Sequence, residues 1–536
     1  MLFESSFHFS KDTHSNLKLV LCTGYQGPVW EKRGRMVHCN ILEGLGCPAC
    51  REDVALEKKI QELQERRREL HTKMNAIHDP FILKLPPEIA SYIFLLSMGE
   101  WDDHHISYSR VCLPTPFLLG AVCSGWRQLA RSTPALWTRL VFNLPLPNSE
   151  FMEDLPRLVE DWLERSGGLP LTLKVFYCST YGEPPPDRHA LVIDALNRHS
   201  RRWSEVEFSL PPDYIVRLCG VSPPENLRNL SISPHDDDGT NIPLTFKMSA
   251  RPSPMIFKMW GFLLGGVDIS WDNLVHLCLN STTLDGVLQV IRDAPLLETC
   301  SLRFISPPID DFHIPEKIIR RPHLRTLQLL FMEQTGVFHK LINSLELPSL
   351  ESWSLEFVKL EESMVLDIMT SFLERSGCKL KTLTMEQNQA PAVDDFERFL
   401  QAMPCLQHLS LGCPPLYDRF NDRSLTPVMD NILERISASP AIQTSHTTGF
   451  LCDLQSLRLF GHGLNAWACI PLIFRLPHRK LLKVHINMDS VIIGDHVLEE
   501  LVQFVDQGIK LHIYHRLSRR DSIQSFREGT TVESRN

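Results

Sequence analysis

The feature that most constrains the fold is a leucine pattern, L-x-x-L-x-L, that recurs through the second half of the chain. Most successive copies begin 23 to 30 residues apart, and the intervals hold helical patterns at 284–294 and 394–403. A strand followed by a helix at this period predicts stacked α/β units with a parallel sheet. The clearest copies begin at Leu274, Leu324, Leu380, Leu406 and Leu454, and weaker ones at Trp203, Leu227, Leu297, Leu350 and Leu481.

This plan resembles the leucine-rich repeat, in a degenerate form. The asparagine that usually follows the strand is mostly missing, and Asn280 matches it only loosely because it comes directly after Leu279. The resemblance implies an irregular horseshoe-shaped solenoid over residues 201–515, within the α/β class. The alternative is an α/β domain with similar strands but without solenoid order.

Residues that alternate with the strand leucines are expected on the concave face of the solenoid, where a protein substrate would bind. Arg303, Arg458 and Phe460 are the expected anchors, since arginine and aromatic side chains dominate interface energy. A solvated sheet face without a ligand is the alternative for each position. The candidate substrate-binding residues are Asn280, Arg303, Gln328, Glu356, Glu386, His408, Arg458 and Phe460.

A second pattern lies in the first third of the chain, at residues 85–94 (LPPEIASYIF) and 118–137 (LLGAVCSGWRQLARSTPALW). Leu85, Ile89 and Ile93 recur at helical spacing, and Pro86 stands where a helix would start. So much apolar area on two short helices has to be covered by something.

The pattern resembles the F-box, including the short charged helix that precedes it in fungal F-box families. The resemblance implies a three-helix domain at 80–142 that docks on the Skp-type adaptor of a cullin–RING ubiquitin ligase. Met98–Pro116 departs from the pattern as an insertion. The alternative is an ordinary helical hairpin inside a larger domain, and each residue has a partner-facing or a core role. The expected adaptor contacts are Leu85, Pro86, Ile89, Ile93, Val122, Trp126 and Trp137.

Residues 53–77 predict a coiled-coil-like helix within a segment from 51 to 79. Leu56, Ile60, Leu63, Leu70, Met74 and Ile77 follow alternating spacings of three and four, and Arg67 interrupts the series. This stripe would either pair two copies of the chain weakly or fold back on the F-box. We favour folding back, because three heptads with an arginine in the seam are marginal for dimerisation.

The remaining segments give weaker expectations. Residues 1–50 predict an irregular region, whose Cys22, Cys39, Cys47 and Cys50 are either a structural zinc site or unligated thiols. We favour thiols, since only one C-x-x-C is present. Residues 143–200 predict a linker and solenoid cap, with a helix at 151–166 and the first strand at 169–176. Residues 516–536 are polar and predict a disordered tail.

Composition excludes several classes of function. The net charge of −9 argues against a nucleic-acid binder. No run of 18 apolar residues or signal-peptide pattern appears, and the 15 cysteines are scattered, which favours the cytoplasm or the nucleus. No catalytic motif appears, so no cofactor, metal or enzymatic activity is expected.

The sequence therefore favours a non-enzymatic ubiquitin-ligase adaptor of the SCF type, which would contact a Skp-type adaptor, a cullin scaffold and an unidentified protein substrate. The main alternative is a leucine-rich scaffold with no ligase role. A more distant one is an enzyme with a dispersed active site.

Overall fold

The computed structural model describes most of the 536 residues, and the described residues divide into two compact units. The first unit is Met1–Val141 with Glu160–Leu169, and the second is Phe142–Val159 with Pro170–Asn536. The described ranges are 6–10, 18–22, 48–98, 115–144, 154–177, 187–234, 245–261, 263–308, 317–330, 335–356, 363–387, 390–413, 425–438, 449–516 and 520–527.

The first unit consists mainly of helices. A prolyl residue opens three of them, at Pro48, Pro80 and Pro87, where the missing N–H is not needed. Strands β1 and β2 pair as an antiparallel hairpin, so the expectation of an irregular N-terminal region is wrong for these residues. Phe7, Phe9 and Val20 are residue types that are enriched in strands. The elements are β1 Ser6–Ser10, β2 Lys18–Cys22, α1 Pro48–His78, α2 Pro80–Lys84, α3 Pro87–Ser97, α4 Thr115–Val122, α5 Ser124–Arg131 and a 3₁₀ turn at Pro134–Trp137.

Helix α1 confirms the predicted helix at 53–77 and starts earlier, so that it includes Cys50. Its apolar stripe is about half exposed from Leu56 to Met74. The expectation that this stripe folds back on the neighbouring helices is therefore wrong for these residues. A helix of 31 residues is much longer than its neighbours α2 and α3, of 5 and 11 residues, so they cannot cover the whole stripe.

The second unit is built on a sheet in which neighbouring strands follow chain order. The strand pairs from Leu171–Tyr177 to Leu511–His515 are parallel, and the last strand, Arg520–Asp521, is added antiparallel. Among the described residues this sheet has 15 strands, from β3 at one edge to β19 at the other. The strands are β3 Arg139–Leu144, β4 Leu171–Tyr177, β5 Trp203–Leu210, β6 Asn229–Pro234, β7 Ile256–Trp260, β8 His276–Asn280, β9 Thr299–Arg303, β11 Thr326–Leu330, β13 Ser352–Glu356, β14 Thr382–Glu386, β15 His408–Gly412, β16 Ser456–Gly461, β17 Lys483–Met488, β18 Leu511–His515 and β19 Arg520–Asp521. Two short strands, β10 Ile319–Arg320 and β12 Leu345–Glu346, form a separate parallel pair.

Helices connect most successive strands, as the period predicts. The predicted helices at 284–294 and 394–403 are confirmed by α9 and α12. Short 3₁₀ turns occupy Ser200–Arg202, Leu264–Gly266 and Pro477–Arg479. The helices are α6 Leu155–Arg165, α7 Asp187–Arg198, α8 Pro212–Arg217, α9 Leu284–Asp293, α10 Thr335–Asn343, α11 Ser363–Ser376, α12 Val393–Gln401, α13 Thr426–Ser437, α14 Cys469–Arg475, α15 Asp495–Asp506 and α16 Ser522–Arg527.

The register of the sheet aligns the repeated leucines with one another. Leu327 lies beside Trp353, which lies beside Leu383, and the next buried row continues from Leu329 to Leu355. These side chains point to the helix layer, where Trp353 packs on Phe372 of α11 with ring centroids 5.2 Å apart. The α/β class and the large parallel sheet expected from the sequence are therefore confirmed.

A buried arginine closes the core near the last repeats. Arg479 donates from Nη1 to the carbonyl oxygen of Leu451 at 2.7 Å and from Nη2 to that of Phe450 at 2.8 Å. Its side chain thereby satisfies backbone acceptors that the connection after α13 leaves inside the protein.

Two boundary expectations need correction. The strand Leu171–Tyr177 is present as predicted, but β3 precedes it in the sheet, so the sheet begins before the expected linker. The expectation of a disordered tail is wrong for 520–527, which form β19 and α16. Asp521 starts that helix by accepting from the backbone N–H of Ile523, at 2.9 Å, which a composition argument does not detect.

Candidate protein-interaction surfaces

Helix α3 turns one side into the first unit and leaves an apolar side uncovered. Ala90 and Phe94 are buried, whereas Ile89, Tyr92, Ile93 and Leu96 are exposed. The exposed four follow the spacing i, i+3, i+4 and i+7, which places them on one helix face. We call this set the α3 face. Tyr92 and Leu96 keep 60% and 65% of their accessible area, although both side chains are large.

Three aromatic rings pack against one another on the buried side of α3. The centroid of Phe94 lies 5.4 Å from that of Phe81 and 4.9 Å from that of Trp126, and Phe81 and Trp126 are 5.0 Å apart. Such stacked and tilted pairs fix ring positions. The cluster holds α2, α3 and α5 together and therefore fixes the direction in which the α3 face points.

Polar contacts fix the ends of the same helices. The carboxylate of Asp79 caps α2 by accepting from the N–H of Phe81 at 3.0 Å, and the Cys123 thiol donates to its other oxygen at 3.4 Å. Ser91 and Thr133 hydroxyls lie 2.9 Å apart and join α3 to the turn after α5. These bonds lock the helical unit without using any residue of the α3 face.

The structure separates the seven expected adaptor contacts into surface and core. Ile89, Ile93, Val122 and Pro86 are exposed, and Leu85 is half-buried. The indole Nε1 of Trp126 is buried. Trp126 therefore serves the aromatic cluster as well as the surface.

Trp137 corrects the expectation, because it is a core residue. It is 2% exposed, its Nε1 donates to the carbonyl of Ala130 at 2.7 Å, and its ring lies 4.7 Å from that of Trp162. A partner could reach it only by opening the unit. Conversely, Tyr92 and Leu96 were missed, although continuing the helical spacing from Ile89 and Ile93 would have included both.

The second unit presents a different surface on the side of the sheet opposite the helices. We call it the polar face and define it by three rows of residues that alternate with the buried leucines. The first row includes His408, beside Thr382 and Ser456. The central row runs through Gln328, Ser354, Thr384, Ser410, Arg458, His485 and His512. The end row runs through Asn280, Arg303, Leu330, Glu356, Glu386, Gly412, Phe460, Asn487 and Tyr514.

The polar face brings the eight expected substrate-binding residues onto one side of the sheet. Five belong to the end row, two to the central row and one to the first row. None of the eight is buried. The register therefore makes them one surface, although they are spread along it and do not converge on a single pocket.

Two carboxylates lie side by side in the end row. Glu356 and Glu386 are paired positions of β13 and β14. Burial raises the pKa of Glu386, the charge of Glu356 raises it further, and Arg516 opposes the shift. Ser354 donates its hydroxyl to Oε1 of Glu356 at 3.4 Å. This stretch of the face is acidic and offers acceptors to a cationic group.

The last strands carry an aromatic and basic group. The ring of His485 lies 5.9 Å from that of His512 and 5.4 Å from that of Tyr514. Burial lowers the pKa of His485, and nearby His512 and Arg458 lower it further, which favours the neutral form of its ring. His485, His512 and Tyr514 were missed by the sequence argument, although the weak copy at Leu481 already implied the outward direction of His485.

Phe460 lies across Gly412 on the neighbouring strand. A Cβ built on Gly412 would overlap the Phe460 ring, so the ring can occupy this position only because residue 412 has no side chain. The position of the expected anchor Phe460 therefore depends on the space that Gly412 leaves on the neighbouring strand.

Within the described residues no group of three or more His, Cys, Asp or Glu side chains is arranged to hold a metal ion. Cys39 and Cys47 lie outside the described residues, as does most of the expected insertion at 98–116. No helix of the described ranges is long and apolar enough to cross a membrane.

Comparison with known proteins adds no further identification. No protein-family model matches the chain, and no curated protein matches it. Any functional conclusion therefore depends on the α3 face and the polar face.

Proposed function

We propose that this protein is a substrate-binding adaptor of an SCF-type cullin–RING ubiquitin ligase. In this proposal the helical unit is an F-box that binds a Skp-type adaptor. The strand–helix units form a degenerate leucine-rich-repeat solenoid that binds a protein substrate. The single observation that carries the proposal is the α3 face, because it lies within the segment that resembles the F-box and is left uncovered.

The chemistry of the α3 face fits a permanent protein partner. Four large apolar side chains on one helix face form an apolar surface that water solvates poorly. Leu118 and Val122 of α4 are also exposed. Residues of this kind dominate the cores of interfaces, where charged groups are depleted.

The polar face fits the substrate-binding role in the proposal. Its rows place Arg303, Arg458, Phe460 and the histidine pair along one side of the sheet, over a rigid hydrogen-bonded support. Arginine and aromatic residues make the largest contributions to protein recognition. A substrate held there would be kept near the ubiquitin donor, and this proximity is the mechanism, since the transfer chemistry belongs to the partners.

The test is binding of the full-length protein to a purified Skp-type adaptor, measured by isothermal titration calorimetry. The double variant Ile89→Glu/Ile93→Glu should weaken binding by at least about a hundredfold, because two carboxylates would be buried in an apolar interface. Trp126 is avoided as a test position, because its ring packs on Phe81 and Phe94.

A matched control is Leu481→Glu, since Leu481 is an exposed apolar residue of the second unit. This variant should bind as the wild type does. Circular dichroism checks that each variant is folded. A folded wild-type protein that fails to bind the adaptor would refute the proposal, as would equal binding by the double variant.

A further inference from the structure

Helix α1 carries a second uncovered surface, which the ligase proposal does not use. Its apolar stripe is Leu56, Ile60, Leu63, Leu70 and Met74, each about half exposed. Together with Arg67 these residues alternate at spacings of four and three, which gives leucine at the d positions and isoleucine, arginine or methionine at the a positions of a heptad. A seam of this kind requires a partner helix.

The charges beside the seam decide what that partner is. The g positions are Lys59, Arg66 and Lys73, and Arg67 occupies the central a position within the seam. The acidic residues Glu62, Glu65 and Glu69 lie at c and f positions, away from the seam, and Glu57 lies at an e position on the other flank. One flank and the centre of the stripe are therefore cationic, although the helix as a whole carries charges of both signs.

A second copy of the chain fits this surface poorly. In a parallel pair Arg67 would face Arg67, and the g lysine and arginine would face Gln64 and His71 at e, so no g–e ion pair would form. In an antiparallel pair the g flanks would face each other and bring Lys59, Arg66 and Lys73 together. Like charges at these positions select against a pairing.

We propose that α1 binds an acidic amphipathic helix of another protein as a heterotypic coiled coil. The partner helix has apolar a and d residues, carboxylates along the flank that meets Lys59, Arg66 and Lys73, and a carboxylate or amide facing Arg67. Complementary e and g charges are what sets partner choice in coiled coils. The inference is independent of the ligase proposal, because it concerns a different helix.

The test uses a synthetic peptide of about four heptads, with isoleucine at a, leucine at d, and glutamate at e, g and the position facing Arg67. The control peptide has lysine in place of every glutamate. Fluorescence anisotropy with the full-length protein should give binding at least about tenfold tighter for the acidic peptide in low salt, and the difference should shrink as salt rises.

The variant Lys59→Glu/Arg66→Glu/Lys73→Glu locates the effect on α1 and should reverse the preference, so that the basic peptide binds more tightly. All three side chains are exposed, so the variant keeps the fold. The proposal is overturned if neither peptide binds, if both bind equally, or if the variant keeps the wild-type preference. It is also overturned if sedimentation velocity shows a wild-type dimer that Leu63→Glu dissociates.

Discussion

The two units use the same residue types in opposite ways. In the second unit leucine, isoleucine and tryptophan are sealed between sheet and helices, and the surface of the sheet is polar. In the first unit several of the largest apolar side chains of α1 and α3 remain on the outside. A repeating unit covers its own apolar face by stacking on its neighbour, whereas a short helical unit has too little interior to do so.

Under the proposed function, this difference corresponds to two modes of binding. Burying an uncovered apolar face against a complementary apolar partner lowers the free energy of the complex. Such a face suits a partner that stays bound. A row of polar, charged and aromatic side chains gains little from burial alone and discriminates among partners by charge and hydrogen bonds. The first unit is thus suited to docking and the second to selection.

The contrast between the buried core of the second unit and the exposed α3 face predicts the largest loss of stability for a substitution in the core. Trp353→Ala should lower the free energy of unfolding by about 3–5 kcal/mol, because the buried ring packs on Phe372. Ile93→Ala, on the exposed α3 face, should change it by about 0.5 kcal/mol or less. Urea unfolding of the isolated protein measures both. A large loss for Ile93→Ala would mean that the α3 face is part of a core.

The sequence predicted the second unit well for a physical reason. A strand buried on one side repeats apolar residues with a period of two, and stacking repeats that signal many times, so single irregular copies such as the one at Leu297 do not obscure it. The helices between strands, α9 and α12, were found by their own periodicity. The same signal placed His408 and Arg458 on the polar face.

The wrong sequence predictions concern positions where the role of a single residue cannot be inferred from a repeating pattern. Trp137 and Ile93 are both large apolar residues of the F-box-like segment, yet one packs on Trp162 and the other faces outward. Only the helix packing decides between them. Likewise, one cap by Asp521 starts α16 inside a polar stretch that composition assigns to disorder.

A smaller effect should come from the contact between neighbouring strands on the polar face. Gly412→Ala should cost about 1–3 kcal/mol of unfolding free energy, because the new methyl group overlaps the ring of Phe460. In the background of Phe460→Ala the same change should cost much less, since the ring is gone. The double-mutant cycle by urea unfolding therefore measures how firmly this expected anchor is held. Additive losses would show that Phe460 does not depend on Gly412.

The smallest effect concerns the acidic stretch of the same face. Burial and the charge of Glu356 raise the pKa of Glu386 in the folded protein. A raised carboxyl pKa stabilises the fold only below the unfolded pKa of about 4.3, and that contribution is lost as pH rises through the folded pKa. Glu386→Gln should therefore be more stable than the wild type at pH 7, by less than about 1 kcal/mol since the group is half-exposed. Urea unfolding at pH 7 and pH 4 should show this advantage shrinking at the lower pH. If the stability difference between Glu386→Gln and the wild type is the same at both pH values, it arises from packing and not from the charge of Glu386. Repulsion between Glu356 and Glu386 would then cost the folded protein little.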